Sequence, residues 1–534
     1  MSWSYAAVWK QLADVVGDRI AIASTSRTLT YAELDRRAEQ VAAVLEAAGL
    51  VAGEAVAIDL INGPEYLEIF YGALKAGCVP VNVNYRYVGD ELRYLIEDAG
   101  ARALVYDARF ADAVIDASLG AAVPCVLEVN GADVALVSGA IPYSSSIGGA
   151  PDRSAGHHEP TGDDLITIYT GGTTGMPKGV MWRSDDLYVS LWQVAKPGTE
   201  PPDPVAYCTK GGRAATCVPA SPLMHGTALF IALSTLSGGG TVVLVETPGL
   251  DAERALDAAA REHAAILTIV GDAYAKPLLE ALDAEPDRWD LGAMRVIMSS
   301  GVVLSPEAKR LLIAHMPQTV VLDTLGSTES VITRSTTTAG DADAPKAGSF
   351  APRPGVRVIS EATGTDVVPG SGEVGLLAVT GRLPLGYRND PEKTARTFRE
   401  FGGVRYTVAG DHATVDADGM IQLVGRGSAC INTGGEKVFA EEVEMVLRQH
   451  GEVRDCVVLG VPDERWGEMV VALVQPVDDD LVVASLDEFA KARMAGYKRP
   501  KHYFLVAQVP RSASGKISYP ELRELAADLA AASS

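Results

Sequence analysis

Tyr169-Thr170-Gly171-Gly172-Thr173-Thr174-Gly175-Met176-Pro177-Lys178-Gly179 is the stretch on which the reading of this chain turns. Leu165, Ile166, Ile168 and Tyr169 precede it as a short apolar run of strand formers. The chain then breaks into glycines and threonines. Glycine lets backbone N–H groups approach a phosphate with no side chain in the way. Threonine hydroxyls add donors, and Lys178 adds a point charge. Thr170, Gly171, Gly172, Thr173, Thr174, Gly175 and Lys178 therefore form a candidate cradle for a polyphosphate. The stretch is not a Walker A loop, because Pro177 precedes the lysine and Gly179 follows it. Taken alone, it reads equally as a Gly-rich surface turn.

Composition bounds what surrounds this loop. At 534 residues the chain exceeds one ordinary core, so two or more domains are expected. A formal charge of -23 argues against nonspecific nucleic-acid binding. Any site for an anionic substrate then needs local cations, for which Lys178, Arg426, Lys437 and Lys516 are the candidates. The 6 cysteines show no C-x-x-C spacing, which suits a reducing cytoplasm and not a zinc site. No signal peptide or peroxisomal tag is visible, and apolar runs such as Ala228 to Leu233 are too short to span a membrane. The expectation is a cytoplasmic protein without a transmembrane segment.

Upstream, Thr30 and Glu33 form a capping pattern ahead of a helical run through Leu34, Ala38, Val41, Ala42 and Leu45. Ala55 to Leu60 reads as a buried strand with Asp59 as its one charged member. A helix from Leu67 stops at Gly77, and Val79 to Asn82 is a short strand. This alternation predicts a parallel, doubly wound α/β architecture. Residues 138–164 are rich in Gly, Ser, Pro and Asp and read as a surface connection. His157-His158-Glu159 lies there, but adjacent loop residues converge poorly on one metal ion. Val270 to Ala275 and Ser299 to Leu304 read as strand-to-loop transitions, and Val320 to Leu322 as a strand followed by a polar loop, Asp323 to Glu329. Gly370 to Gly375 matches G-x-G-x-x-G but is followed by the strand-like Leu376 to Val379, so a turn is the better reading. After Arg426 comes a run of small residues through Lys437, the pattern of a hinge. The remaining residues, with a helix from Glu441 and strands at Asp455 to Val461 and Met469 to Val474, suit a small α+β domain.

The 169–179 loop resembles the phosphate-binding loop of the adenylate-forming superfamily, which includes acyl-CoA synthetases, aryl-CoA ligases, adenylation domains and luciferases. Members usually carry Ser where this chain has Gly171. The following Val180-Met181-Trp182-Arg183 is similar to bacterial fatty-acid and steroid-acid CoA ligases. Further matches run in order along the chain. Asp323-Thr324-Leu325-Gly326-Ser327-Thr328-Glu329 resembles Tyr-Gly-x-Thr-Glu, with Leu325 replacing Tyr. Tyr406 to Asp411 resembles Tyr-x-x-Thr-Gly-Asp, with Ala409 replacing Thr. Gly425 to Ser428 and Pro510 to Ile517 resemble the hinge and the late Gly-Lys motif, though Ser428 stands where Asp or Lys is usual.

The resemblance implies a large N-terminal domain (1–426) of doubly wound sheets with a distorted β-barrel, and a small mobile α+β domain (427–534) hinged at about 426–428. It implies an ATP-dependent acyl-CoA ligase with ATP, Mg²⁺ and coenzyme A, acting on a medium- or long-chain or steroid-like carboxylic acid. A ligase for an aryl or short acid, and an acyl-AMP ligase that loads a carrier protein, are the alternatives; the inserted segment typical of the latter is not obvious here. Glu329 is the implied Mg²⁺ ligand, and Thr328 donates to the α-phosphate. Thr324, Leu325, Gly326, Ser327 and Gly301 form the adenine side. Asp411 accepts the ribose hydroxyls, Arg426 lies near ribose and phosphates, and His225 borders the acyl and thiol channel. Gly435 and Lys437 line the pantetheine path, and Lys516 closes on the reacting groups. Relatives of this kind are often homodimers.

Overall fold

The computed structural model describes the chain except residues 1, 133, 151–156, 173–174, 301–303, 339–348, 427–429, 434–435, 464–466, 479–480, 495, 497, 512–516, 518 and 533–534. It divides into two compact units, and residues 346–379 and 399–534 group together in the second. The sequence expectation separated the chain at 426–428, and residues 427–428 lie outside the described residues. Within the second unit, the rings of His412 and Phe439 meet across that point at a tilt of 44°, with their centres 5.4 Å apart.

The first unit is α/β. Among the described residues it holds two eight-stranded sheets. In one, the strands Leu165–Gly172, Val79–Asn82, Ala55–Asp59 and Ala101–Asp107 lie side by side. The strands Ala55–Asp59 and Val79–Asn82 pair in parallel through Ala57 and Val81, as the βα alternation requires. The helices between them form for local reasons. Thr30 accepts from the Glu33 N–H while Glu33 reaches back to the Thr30 N–H, so the expected capping box is present. The helix Pro64–Lys75 starts earlier than the sequence suggested, because Pro64 at its first turn has φ already set for a helix. Gly77 ends it at φ +72.

The second sheet of this unit runs Ser330–Thr337, Val320–Ser327, Val296–Ser300 and Ile266–Ile269 from one edge. Val270 does not lead into a loop: the helix Gly271–Ala284 starts at once, with Gly271 at φ +52 allowing the sharp entry. Residues 138–164 also hold more than a surface connection. They include the helix Tyr143–Gly148, whose buried Tyr143 donates to the buried Glu68 carboxylate at 2.7 Å. His158 hydrogen-bonds Asp164 at 2.9 Å, and no group of three metal-binding side chains occurs among the described residues.

The second unit contains a seven-stranded antiparallel sheet, in the part expected to form a distorted barrel, and a five-stranded mixed sheet. Gly370 and Gly372, at φ +76 and +74, make the turn before the buried strand Gly375–Val379. The long strands Val453–Asp463 and Gly467–Pro476 pair along their length and are packed on both faces, with Val458 and Val470 on one side and Val457 and Leu473 on the other. Among the described residues, no helix is long and apolar enough to cross a membrane.

Candidate active site

The strand Leu165–Gly172 leads into the Gly/Thr loop, and a buried asparagine sets where it ends. The Asn82 amide donates to the carbonyl oxygens of Tyr169 at 3.0 Å and Met224 at 2.6 Å, and its Oδ1 accepts from the Tyr169 N–H at 2.6 Å. One side chain thus ties the cradle strand to the segment that carries His225. Asn62 anchors the same segment, donating to the Ser221 carbonyl at 3.0 Å and accepting from the Leu223 N–H at 2.7 Å. Removing either amide would leave buried backbone groups unpaired, at about 1–3 kcal/mol each. His225 then sits half-buried at the start of the helix Gly226–Ser237. Thr170 is half-buried, and Gly171, Gly172 and Gly175 lie in strands. Thr173 and Thr174 lie outside the described residues.

Lys178 lies on the next strand, Gly175–Arg183, and its partner comes from far along the chain. Gly386 and Tyr387 pair antiparallel with Met181 and Val180, and the Arg388 N–H donates to the Gly179 carbonyl at 2.8 Å. This pairing lays an arm, residues 386–393, beside Lys178. The Lys178 ammonium hydrogen-bonds the Asp390 carboxylate. Asp390 also caps the helix Pro391–Thr397 by accepting from the Lys393 N–H at 2.9 Å. The Lys178 hydrogen bond, followed by that backbone N–H, holds the Asp390 carboxyl below its usual range.

The same arm reaches the candidate metal ligand. Tyr387 donates from its hydroxyl to Glu329 Oε1 at 2.5 Å. Glu329 lies in a tighter turn than the sequence suggested. The strand Val320–Ser327 continues through Asp323, Thr324, Leu325 and Gly326, because Ser330–Thr337 folds back antiparallel and takes up their backbone groups. Only Thr328 and Glu329 remain as the turn, and a register shift at Leu325–Gly326 twists the hairpin tip. The fully buried Trp182 donates its indole N–H to the Thr328 carbonyl at 2.9 Å, which pins that tip to the Lys178 strand. Thr324 Oγ1 and Ser327 Oγ are buried with no hydrogen-bond partner among the described residues. Unpaired hydroxyls at a strand end are positions a polar ligand would satisfy.

Glu329 offers one hard carboxylate oxygen set, and no second acidic, histidine or cysteine cluster accompanies it among the described residues. That donor set fits Mg²⁺, which takes one or two carboxylates and completes its shell with phosphate and water. The Ser299 hydroxyl accepts from the Gly271 N–H at 3.1 Å beside this sheet edge, while Gly301 lies outside the described residues.

In the second unit, Asp411 is buried and opens the strand Asp411–Val415, with the tight turn before it at Gly410, φ +95. Its direct cross-strand neighbour is Arg426, so these two predicted residues do meet at one hairpin end. Lys437 pairs with Asn432 in a strand. The side chains of Leu325, Arg426 and Lys437 are outside the description, as are Gly435 and Lys516. The residues flanking 512–516 are described: Arg511 bridges to Ile517 and forks onto Asp455 at 2.6 and 2.9 Å.

Sequence reasoning missed Asn62, Asn82, Trp182, Tyr387 and Asp390. The Asp390-Pro391 pair did carry a signal, a cap residue followed by proline at the first helical position.

The model of the AMP-binding enzyme family matches residues 9–387, and that of the AMP-binding enzyme C-terminal domain matches residues 442–516. The chain is 37% identical to a 3-oxocholest-4-en-26-oate–CoA ligase of Rhodococcus rhodochrous, over 95% of this chain and 93% of that one. It is 37% identical to the medium-chain acyl-CoA ligase Mig of Mycobacterium avium, over 97% and 98% of the two chains. The structure of ATP-bound MatB from Rhodopseudomonas palustris superposes with a TM-score of 0.81 at 28% identity, covering 99% of this chain and 100% of that one. The loop, the carboxylate turn and the arm joining them are thus set in a chain that belongs to the AMP-binding enzyme family.

Proposed function

We propose that this chain is an ATP-dependent acyl-CoA ligase. It activates a medium- or long-chain or steroid-like carboxylic acid as an acyl-adenylate, then forms the CoA thioester with release of AMP and pyrophosphate. The near full-length likeness to ligases of such acids supports the substrate class. The observation that carries the reading is the arm 386–393, one short segment that holds both Lys178 and Glu329.

A carboxylate is a poor acyl donor, because its leaving group would be oxide. Exchanging that oxide for AMP makes the carbonyl open to a thiol. The first step is attack by the carboxylate oxygen on the α-phosphorus with pyrophosphate departing, so the protein's work is to position anions and balance their charge. Residues 170–178 hold the β- and γ-phosphates, and Lys178 leaves Asp390 to do so. Thr324 and Ser327 supply hydroxyls to the nucleotide, Thr328 donates to the α-phosphate, and Asp411 accepts from the ribose diol. Glu329, oriented by Tyr387, would hold Mg²⁺, which when bound neutralises phosphate charge. Lys516 joins the substrate carboxylate to the α-phosphate in this step alone. The 427–534 segment then turns about residues 426–428, and Gly435 and Lys437 line the entry of pantetheine past His225. The cytoplasm, where ATP and CoA are abundant and thiols stay reduced, is the compartment this reading assigns.

Pyrophosphate release and thioester formation, measured over short, aryl, long-chain and steroid side-chain acids with either CoA or a holo carrier protein, test the reading. Acid-dependent pyrophosphate release and a CoA thioester, greatest with long or steroid acids, are expected. No release with any acid would contradict it, and thioester on the carrier alone would contradict CoA as acceptor.

A further inference from the structure

The arm that carries Asp390 also carries Lys393, to which no part of the family pattern above assigns a role. Its ammonium lies 4.7 Å from the centre of the Tyr387 ring, the same ring whose hydroxyl holds Glu329. Asp390, the carboxylate that caps the start of the same helix, is already engaged by the Lys178 ammonium and by the Lys393 backbone N–H. Among the described residues, Lys393 makes no ion pair of its own. Burial, and next the charge of Lys178, disfavour its protonated form, while Glu329 and Asp390 favour it. A partly desolvated ammonium, placed near a second ammonium and without its own counter-ion, is stabilised by an incoming multivalent anion. Lys178 fixes where such an anion would lie, and Glu329 accounts for a divalent cation travelling with it.

We propose that Lys393 is a further polyphosphate-binding residue, which contacts the β- and γ-phosphates of ATP and the pyrophosphate formed from them. The inference rests on the ligase reading above. Tyr387 serves two neighbours in this arrangement: its face supports the Lys393 ammonium and its hydroxyl orients Glu329. The anion would therefore meet both lysine ammoniums, and Glu329 would hold the Mg²⁺ that supplies further positive charge. A residue confined to the β- and γ-phosphates has no contact with AMP, which separates this role from a structural one.

Calorimetric binding of pyrophosphate, ATP and AMP, with Mg²⁺ present, to the full-length wild-type chain and to Lys178→Met, Lys393→Met and Lys393→Arg tests this. Lys393→Met is expected to weaken pyrophosphate and ATP about tenfold, the scale of one charge-assisted contact, with AMP changed less than about twofold. Lys393→Arg should keep most of the affinity. Pyrophosphate binding by Lys393→Met equal to wild type, while Lys178→Met loses it, would overturn the proposal. Equal weakening of AMP and pyrophosphate would also overturn it, as a folding effect. Wild-type chain that binds neither ATP nor pyrophosphate would overturn the ligase reading itself, and this inference with it.

Discussion

Lys178 reaches Asp390, and on the proposed reading that pairing must open before Lys178 can meet a nucleotide. Both side chains are partly exposed, at 29% and 25%, so the pair contributes at most about 1 kcal/mol. Asp390→Asn keeps a good cap for the following helix while removing the competing charge. It should tighten ATP binding about threefold at low salt, and titration calorimetry reads this directly. Tyr387 acts on a different reactant. Tyr387→Phe removes the hydrogen bond to Glu329 but keeps the ring, so the Mg²⁺ concentration for half-maximal adenylation should rise about tenfold. An unchanged Mg²⁺ requirement would show that the hydroxyl does not orient the ligand. Neither contact could be read in the sequence, because Lys178 and Asp390 are 212 positions apart and Tyr387 and Glu329 are 58 apart. What could be read was local: glycines and threonines open to phosphate, a lysine among them, and a carboxylate after a strand.

At the scale of the element, the strand Ala55–Asp59 was legible as a buried run with one charge, and the structure adds the consequence. Asp59 is buried, its Oδ1 has no hydrogen-bond partner among the described residues, and burial followed by the nearby Asp107 raises its carboxyl to about 7. A carboxyl raised on folding binds its proton more tightly in the folded state. Its stabilising effect is complete below about pH 4 and is lost as pH rises through 7. The shift corresponds to about 4 kcal/mol at most. The thermal midpoint should therefore fall between pH 5 and pH 8 in the wild type, and Asp59→Asn should flatten that fall; an identical slope in the variant would locate the pH dependence elsewhere. Other elements were legible only in part. The hairpin 320–337 looked like a strand and a loop because its turn residues, Thr328 and Glu329, carry no glycine or proline, while Gly326 marks a bulge. The helix Tyr143–Gly148 was hidden in a Gly/Ser-rich stretch, because the burial of Tyr143 against Glu68 overrides weak local propensity.

For the whole molecule, a net charge of -23 opposes every substrate the reaction needs, since ATP, a carboxylate and CoA are all anions. On the proposed reading locally placed cations answer that repulsion, and they are distributed along the chain: Lys178 and Lys393 in the first unit, Arg426, Lys437 and Lys516 in the second. A charge needed in one step and not the next is best carried by a segment that can be withdrawn, which is why one lysine is assigned to adenylation alone. The direct test is Lys516→Ala assayed on each half-reaction separately, with acid plus ATP for the first and preformed acyl-adenylate plus CoA for the second. The account predicts adenylation slowed by about a hundredfold or more while thioester formation stays within a few-fold of wild type. Equal loss of both half-reactions would contradict it.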